Sequence, residues 1–382
     1  MHAVLAYRSL SQFAGSELYL VTVAEQLQRL GHEVTLHALE LGPVAELARE
    51  RGLKVVSGSE LPEACDAVLT QDGEMTYALA DRFPCATRVF VCHSTEFLAQ
   101  GPPLAAGACQ ALVALNDRVA DHLRAAPGTE VVRMRQPVDV LRLSRLPPPR
   151  PKAGRVVVFG HDHAGEQLRR IVRTCERLGL DLRRAGGPGA TTPGPEGALA
   201  DADIAIGIGR CVIEAMAARR AAYVSGVVGT DGWVTPETYA AFEADGFSGR
   251  ASGGVLTEER LATDLAAWAP TLGEQGKDLA FAGHDAGAHA RELIELWRGL
   301  GVPGDTRPGS TAELARLTRV AAGQERRALE NATEAAIQRS KAEALRTELD
   351  ALKATRRYRL AGVLSRPLDR LRRLAGRARH RD

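Results

Sequence analysis

The chain has 382 residues, 45% of them hydrophobic and 25% charged, with a formal net charge of +2. That is enough apolar material for two domains with real cores plus an extension, and it excludes a disordered or fibrous polymer. Arginine supplies 44 of the 49 basic residues, but residues 353–382 alone carry a net +9 and the rest of the chain about −7, so the body keeps no basic surface for a nucleic acid. No 18 apolar residues run together, and Met1–Tyr7 lacks a basic n-region. The chain therefore reads as cytoplasmic, without signal peptide or membrane span. The cysteines at 65, 85, 92, 109, 175 and 211 fall at no metal or CxxC spacing and read as reduced, mostly buried thiols.

In chain order, His2–Tyr7 is a first strand, Arg8–Gly15 a loop, and Ser16–Leu30 a helix that Gly31 ends as a C′ glycine. EVTLHAL is the second strand. The alternation continues with a helix at Pro43–Arg51, strands at Lys54–Ser57 and Ala67–Thr70, a helix at Met75–Asp81 and a strand at Arg88–Cys92. A strand at 111–116 and a helix at 117–126 follow. Strands alternating with helices predict a doubly wound parallel sheet, whose ligands bind beyond the carboxyl ends of the strands. His93, in VFVCHSTEF, stands at such an end and is a site candidate; a histidine bonded to its own loop is the other reading. RLPPPRPKAG (145–154) has four prolines and no periodicity, and reads as an interdomain linker.

The second half opens with the buried strand RVVVFG. His161 and His163 stand two residues apart, but nothing nearby completes a metal set. After a strand at Leu182–Ala185 and the Gly/Pro loop 186–197 comes the segment around which the chain is organised, 202–234. Ile204, Ala205, Ile206 and Ile208 make a strand, and Gly207 and Gly209 end it. A helix starts near Arg210, Ala221–Val224 makes the next strand, and GTDGW is a second glycine loop. Glycines ahead of a helix let an anion approach free N–H groups at the positive end of the dipole, and a diphosphate fits there. Arg210 adds charge, and Glu214, one turn on along the same face, suits ribose hydroxyls. The same spacing is also that of an ordinary helix with an Arg210–Glu214 pair.

GRCVIEAMAARRAAYV followed by GTDGW resembles the donor segment of retaining glycosyltransferases of the GT-B fold, glycosyltransferase family 4 in particular. AGSELYLVTVAEQLQRLGHEVTLHAL resembles the opening of the same family, and the likeness extends over residues 1 to about 300. It implies an α/β fold of two Rossmann-like doubly wound domains facing a cleft, an acceptor-side domain at 1–145 and a donor domain at 155–300. The implied activity is metal-independent, retaining transfer of a sugar from a nucleotide sugar, a substrate and not a cofactor, to a glycan, glycolipid or small molecule. In this likeness Glu214 holds the ribose, His93 stands near the transferred sugar, and Gly15 lies in the loop bordering the cleft. Gly207, Gly209, Arg210, Thr230, Asp231 and Gly232 complete the donor contacts. The chain departs from the pattern at Ile206, where the family has a first glutamate. It departs again at His161, Asp162 and His163, where an arginine and a lysine clamp the diphosphate and where the first basic residue here is Arg169. Arg210 is the candidate to replace that clamp. A binding or assembly module that has lost transfer is the alternative, and an epimerase or phosphorylase of the same architecture a third.

Ser310-Thr311-Ala312-Glu313 is a capping-box signature launching a polar helix to about Thr355, within an extension spanning 310–382. Leu360, Leu364, Leu368 and Leu371 form a stripe among arginines, interrupted at Pro367. The expected partner of 353–382 is an anionic membrane surface at the cytoplasmic face or a helical protein.

Overall fold

The computed structural model describes residues 1–301 other than 59, 96–99, 106, 125–128, 161–162, 164 and 187–193; beyond 301 it describes only 317, 320–321, 323–324, 327, 345–346 and 349, all helical. Two compact units result, Met1–Leu314 and Ala315–Asp382. The capping box and the basic leucine tail lie outside the described residues.

Two sheets organise the first unit. The first runs, edge to edge, Lys54–Val56, Glu33–His37, His2–Ala6, Ala67–Thr70, Thr87–Cys92, Ala111–Ala114 and Glu130–Arg133, parallel throughout. Strand order reverses at His2–Ala6, which pairs with Glu33–His37 on one side and Ala67–Thr70 on the other. Such a switch point opens a crevice beyond the strand ends. Helices cover both faces, so these strands are unbroken apolar runs, with Leu5, Leu36 and Leu69 at 0% exposure.

The second sheet runs Asp181–Ala185, Arg155–Phe159, Ile204–Gly207, Ala221–Gly226 and Gly229–Trp233. Its first four strands are parallel, and its reversal falls between Arg155–Phe159 and Ile204–Gly207. The fifth corrects the sequence reading: Gly229–Trp233, expected as a glycine loop, is a strand antiparallel to Ala221–Gly226. The turn Gly226–Gly229 folds the chain back, so the segment satisfies its backbone in the sheet.

Local signals set the helix ends. Helix Gly15–Arg29 stops where Gly31 takes φ +83°, the left-handed C′ position expected of it. Asp72 and Asp285 cap the helices Gly73–Arg82 and Ala286–Gly299 by accepting from Met75 N (2.9 Å) and Ala288 N (2.6 Å). Helix Ala286–Gly299 returns to the first sheet, where Leu293, Ile294 and Trp297 join the core of Leu20, Leu27 and Val89. Burial of each side chain contributes roughly 1.5–3 kcal/mol, which ties the end of this unit to its beginning. Among the described residues no helix is long and apolar enough to cross a membrane.

Candidate functional site

The two sheets face one another across a cleft of about 480 Å³, beyond the strand ends where both orders reverse. Tyr7, Gly15, Glu17, His93 and Asn116 line it from the first sheet, and Gly160, Gly186, Gly209, Arg210 and Glu214 from the second. Sequence reasoning placed Gly15, His93, Gly209, Arg210 and Glu214 at such a place, and the fold brings these five together.

Gly15 has open space where a Cβ would stand, so a ligand can approach the backbone there. Gly209 holds φ +58°, ψ −132° at the N-cap of helix Arg210–Ala217, a conformation that favours glycine. Its own N–H donates to Phe247 O at 2.9 Å, so an anion at this helix end has to be met by the N–H groups that follow it. Gly207 is glycine for packing: a Cβ there would stand 2.7 Å from Phe159 O.

Arg210 and Glu214 are in contact, and the pair is buried. Arg210 Nε donates to Glu214 Oε1 at 2.7 Å, with side chains 9% and 2% exposed. The other two guanidinium nitrogens donate to Pro137 O (2.7 Å) and Thr22 Oγ1 (2.9 Å). Arg210 thus bridges the second sheet's helix, the segment joining the two halves and the first sheet's helix. Burial raises the Glu214 pKa above the ordinary carboxylate value, and the Arg210 charge opposes that rise. The pair of the ordinary-helix reading is therefore real, but it lies on the cleft wall.

His93 follows the strand Thr87–Cys92 and donates from Nε2 to Gln71 Oε1, a side chain that is itself 0% exposed. Tyr19 meets the ring edge-on, 5.0 Å between centroids. Burial, then the charges of Arg210 and His289, push the His93 pKa down to about 3, so the ring is neutral near pH 7.

Thr230, Asp231 and Gly232, expected among the donor contacts, do not line the cleft. They belong to the antiparallel edge strand, where the Thr230 hydroxyl bonds Ser225 Oγ at 2.9 Å. The Asp231 carboxylate accepts from Ser252 N (2.7 Å) and Oγ (2.8 Å). Thr230 lines a separate hollow with Gln167, Gly226 and Gly249.

Several cleft residues carried no sequence signal of their own. Glu17, in the first turn of helix Gly15–Arg29, is 7% exposed and accepts from Ser16 Oγ at 2.7 Å. Glu243 lines the cleft and is met by Arg133 across the interface at 2.6 Å. His284, pushed down to about 4 by burial, donates from Nδ1 to Gln136 O at 2.8 Å and accepts at Nε2 from the Tyr239 hydroxyl at 3.0 Å. Tyr7 is raised by burial and by the Glu17 charge. A carboxylate at a helix's first turn is a visible cap preference, but nothing in the sequence says it faces a cleft.

Among the described lining residues Arg210 is the one arginine or lysine, against Glu17, Glu214 and Glu243. The loop sequences between Ser94 and Gln100, Gly160 and His163, and Gly186 and Gly194 contain no arginine or lysine either. Backbone N–H groups, and not a cluster of cationic side chains, are what this cleft offers an anion. Among the described residues no three His, Cys, Asp or Glu side chains group as a metal ligand set.

No family model and no curated protein matches the chain in sequence. Solved structures do. The crystal structure of Anabaena Alr3699/HepE in complex with UDP and glucose has a TM-score of 0.50 at 12% identity, over 78% of this chain and 100% of that one. The same protein in complex with UDP gives 0.50 at 14%, with the same coverage. A glycosyltransferase from Rickettsia africae gives 0.49 at 13%, over 78% and 98%. At these identities the likeness is one of fold. The chain has the GT-B architecture, two Rossmann-like domains facing a cleft.

Proposed function

We infer that this protein is a retaining glycosyltransferase that takes a nucleotide sugar into the cleft and passes the sugar to a hydroxyl-bearing acceptor. The observation that carries the reading is the meeting of Gly209, Arg210 and Glu214 at one helix start on the wall of a cleft of about 480 Å³, opposite His93. In this reading the domains are an acceptor-side one at 1–145 and a donor-side one at 155–300, as the sequence resemblance implies. The diphosphate lies against the N-terminus of helix Arg210–Ala217, and Glu214 takes the ribose. The Anabaena structures of the same fold hold UDP together with glucose, and UDP alone, which favours a nucleotide sugar over other anions.

The chemistry follows from charge. Breaking the anomeric bond puts negative charge on the leaving diphosphate, and donors fixed in advance stabilise that charge more than they stabilise the ground state. Helix N–H groups serve here, and Arg210, held by three bonds, supplies a fixed positive charge one shell behind. His93, neutral, hydrogen-bonds a sugar hydroxyl. The Arg210–Glu214 ion pair favours a second reading, a binding module that has lost transfer, because a ribose has to share Glu214 with Arg210.

A thermal-shift panel of nucleotide sugars tests the assignment. A ligand at a hundredfold its Kd stabilises by about 2.7 kcal/mol. No shift with any nucleotide or nucleotide sugar would remove both readings. A shift with no turnover in any acceptor mixture would favour the module.

A further inference from the structure

Gln71 follows the strand Ala67–Thr70 and His93 follows its parallel neighbour Thr87–Cys92, so the two side chains leave adjacent strand ends. Gln71 Nε2 donates to the Ser16 carbonyl at 3.2 Å. That oxygen can only accept, so the amide NH2 must face it, and Oε1 must be the atom turned to His93 Nε2. An amide oxygen also only accepts. His93 Nε2 therefore carries the ring proton, and the bare lone pair lies on Nδ1.

The neighbours leave this assignment intact. His289 meets the Arg135 carbonyl through Nδ1 at 3.1 Å, so its Nε2 is the acceptor for the Tyr19 hydroxyl at 2.8 Å. Tyr19 thus spends its proton on His289 and only its ring edge on His93. The groups facing His93 are Tyr19 from helix Gly15–Arg29, Arg210 from helix Arg210–Ala217 and His289 from helix Ala286–Gly299. The one cation among them, Arg210, disfavours a second proton on the ring.

We propose that Gln71 is a positioning residue that locks His93 in the Nε2–H tautomer, and that the bare Nδ1 is the atom His93 turns to the cleft it lines, an acceptor-only contact. The ligand group read there must be a donor, a hydroxyl or an amine, and an oxyanion or carbonyl at that position is rejected. Glu17 is a second acceptor on the same wall. The tautomer stands on the hydrogen bonds alone, whereas the reading of the ligand group as a sugar hydroxyl rests on the proposed glycosyltransferase activity.

Nitrogen-15 NMR of histidine-labelled, full-length protein tests it. The expected result is a pyridine-like Nδ1 and a pyrrole-like Nε2 for His93, unchanged between pH 5 and 8, with a mixture of tautomers in Gln71→Leu. Gln71→Glu, which sets a carboxylate against Nε2–H, is expected to bring an imidazolium form within that range, and it keeps the test open should the leucine variant fold poorly. An Nδ1–H tautomer in the wild type, or the wild-type signature in both variants, overturns the proposal. With the nucleotide sugar that shifts melting most, Gln71→Leu is expected to lower kcat on the order of tenfold with KM unchanged; an unchanged kcat overturns the functional half. Failure of every nucleotide sugar to bind would sink the proposed function while leaving the tautomer result standing.

Discussion

Removing Arg210 is the perturbation whose size the structure fixes best. Its guanidinium loses three hydrogen bonds, to Glu214, Pro137 O and Thr22, and Glu214 is left at 1% exposure with a charge to house. Breaking a buried pair from one side costs about 3–5 kcal/mol, mostly because the surviving charge is uncompensated. The first unit has about 300 residues, for which an unfolding entropy of about 2.1 cal/mol/K per residue gives a fall in Tm of roughly 5–8 °C. The deficit depends on pH. Burial already holds the Glu214 pKa above its ordinary value of 4.5, and loss of Arg210 raises it further. A carboxyl with a raised folded pKa costs nothing when protonated in both states and costs progressively more as pH rises above the unfolded value. The Arg210→Ala deficit should therefore be smallest near pH 4.5 and grow toward pH 7. Thermal melts by circular dichroism of Arg210→Ala, Glu214→Gln and the double variant measure this, and the double variant should recover part of the loss. Single-variant melting within 1 °C of wild type at pH 7, or a deficit that shrinks as pH rises, would refute the buried-pair argument.

Other outcomes follow from the same structure. His93, His284 and His289 are held at about 3, 4 and 4 by burial, so unfolding takes up protons below pH 6.5 and stability must fall with acidity; a Tm that stays flat from pH 7 to pH 5 would contradict this. Gly209→Ala, forced into φ +58° with ψ −132°, should cost about 1–3 kcal/mol in a chemical-denaturation series, where a neutral effect would mean that the backbone relaxes. Trp297→Ala, at 2% exposure in the first sheet's core, should cost about 3–5 kcal/mol, and a loss under 1 kcal/mol would show the last helix to be weakly docked. Thr230→Val should leave nucleotide affinity unchanged by isothermal titration, because Thr230 faces Ser225 and not the cleft; a tenfold loss would put the edge strand back in the site.

The fold was legible where period and punctuation agreed. Ile204–Gly207 reads as a buried parallel strand because both its faces are covered, and Gly31 ends its helix for the steric reason that the sequence advertises. GTDGW misled because two glycines in five residues signal a turn, yet the turn lies just before them and the segment pairs with Ala221–Gly226. At the site, the i, i+4 spacing of Arg210 and Glu214 correctly put them on one face. It said nothing of Thr22 and Pro137, 188 and 73 residues away, which take the other two guanidinium nitrogens. Gln71 was invisible for the same reason: its significance is a bond to His93 that exists only once two strands lie side by side. Long-range pairing is a property of topology, and local pattern carries no trace of it.

The central claim is sugar transfer from a nucleotide sugar bound at Glu214. Proton NMR of wild type and Glu214→Gln incubated with the nucleotide sugar that raises Tm most, with water or an added sugar as acceptor, tests it directly. The expected result is release of nucleoside diphosphate and a first-formed sugar with the donor's own anomeric configuration, both lost or strongly reduced in a folded Glu214→Gln variant. Release with the opposite anomer formed first, or equal release by wild type and Glu214→Gln, would contradict it.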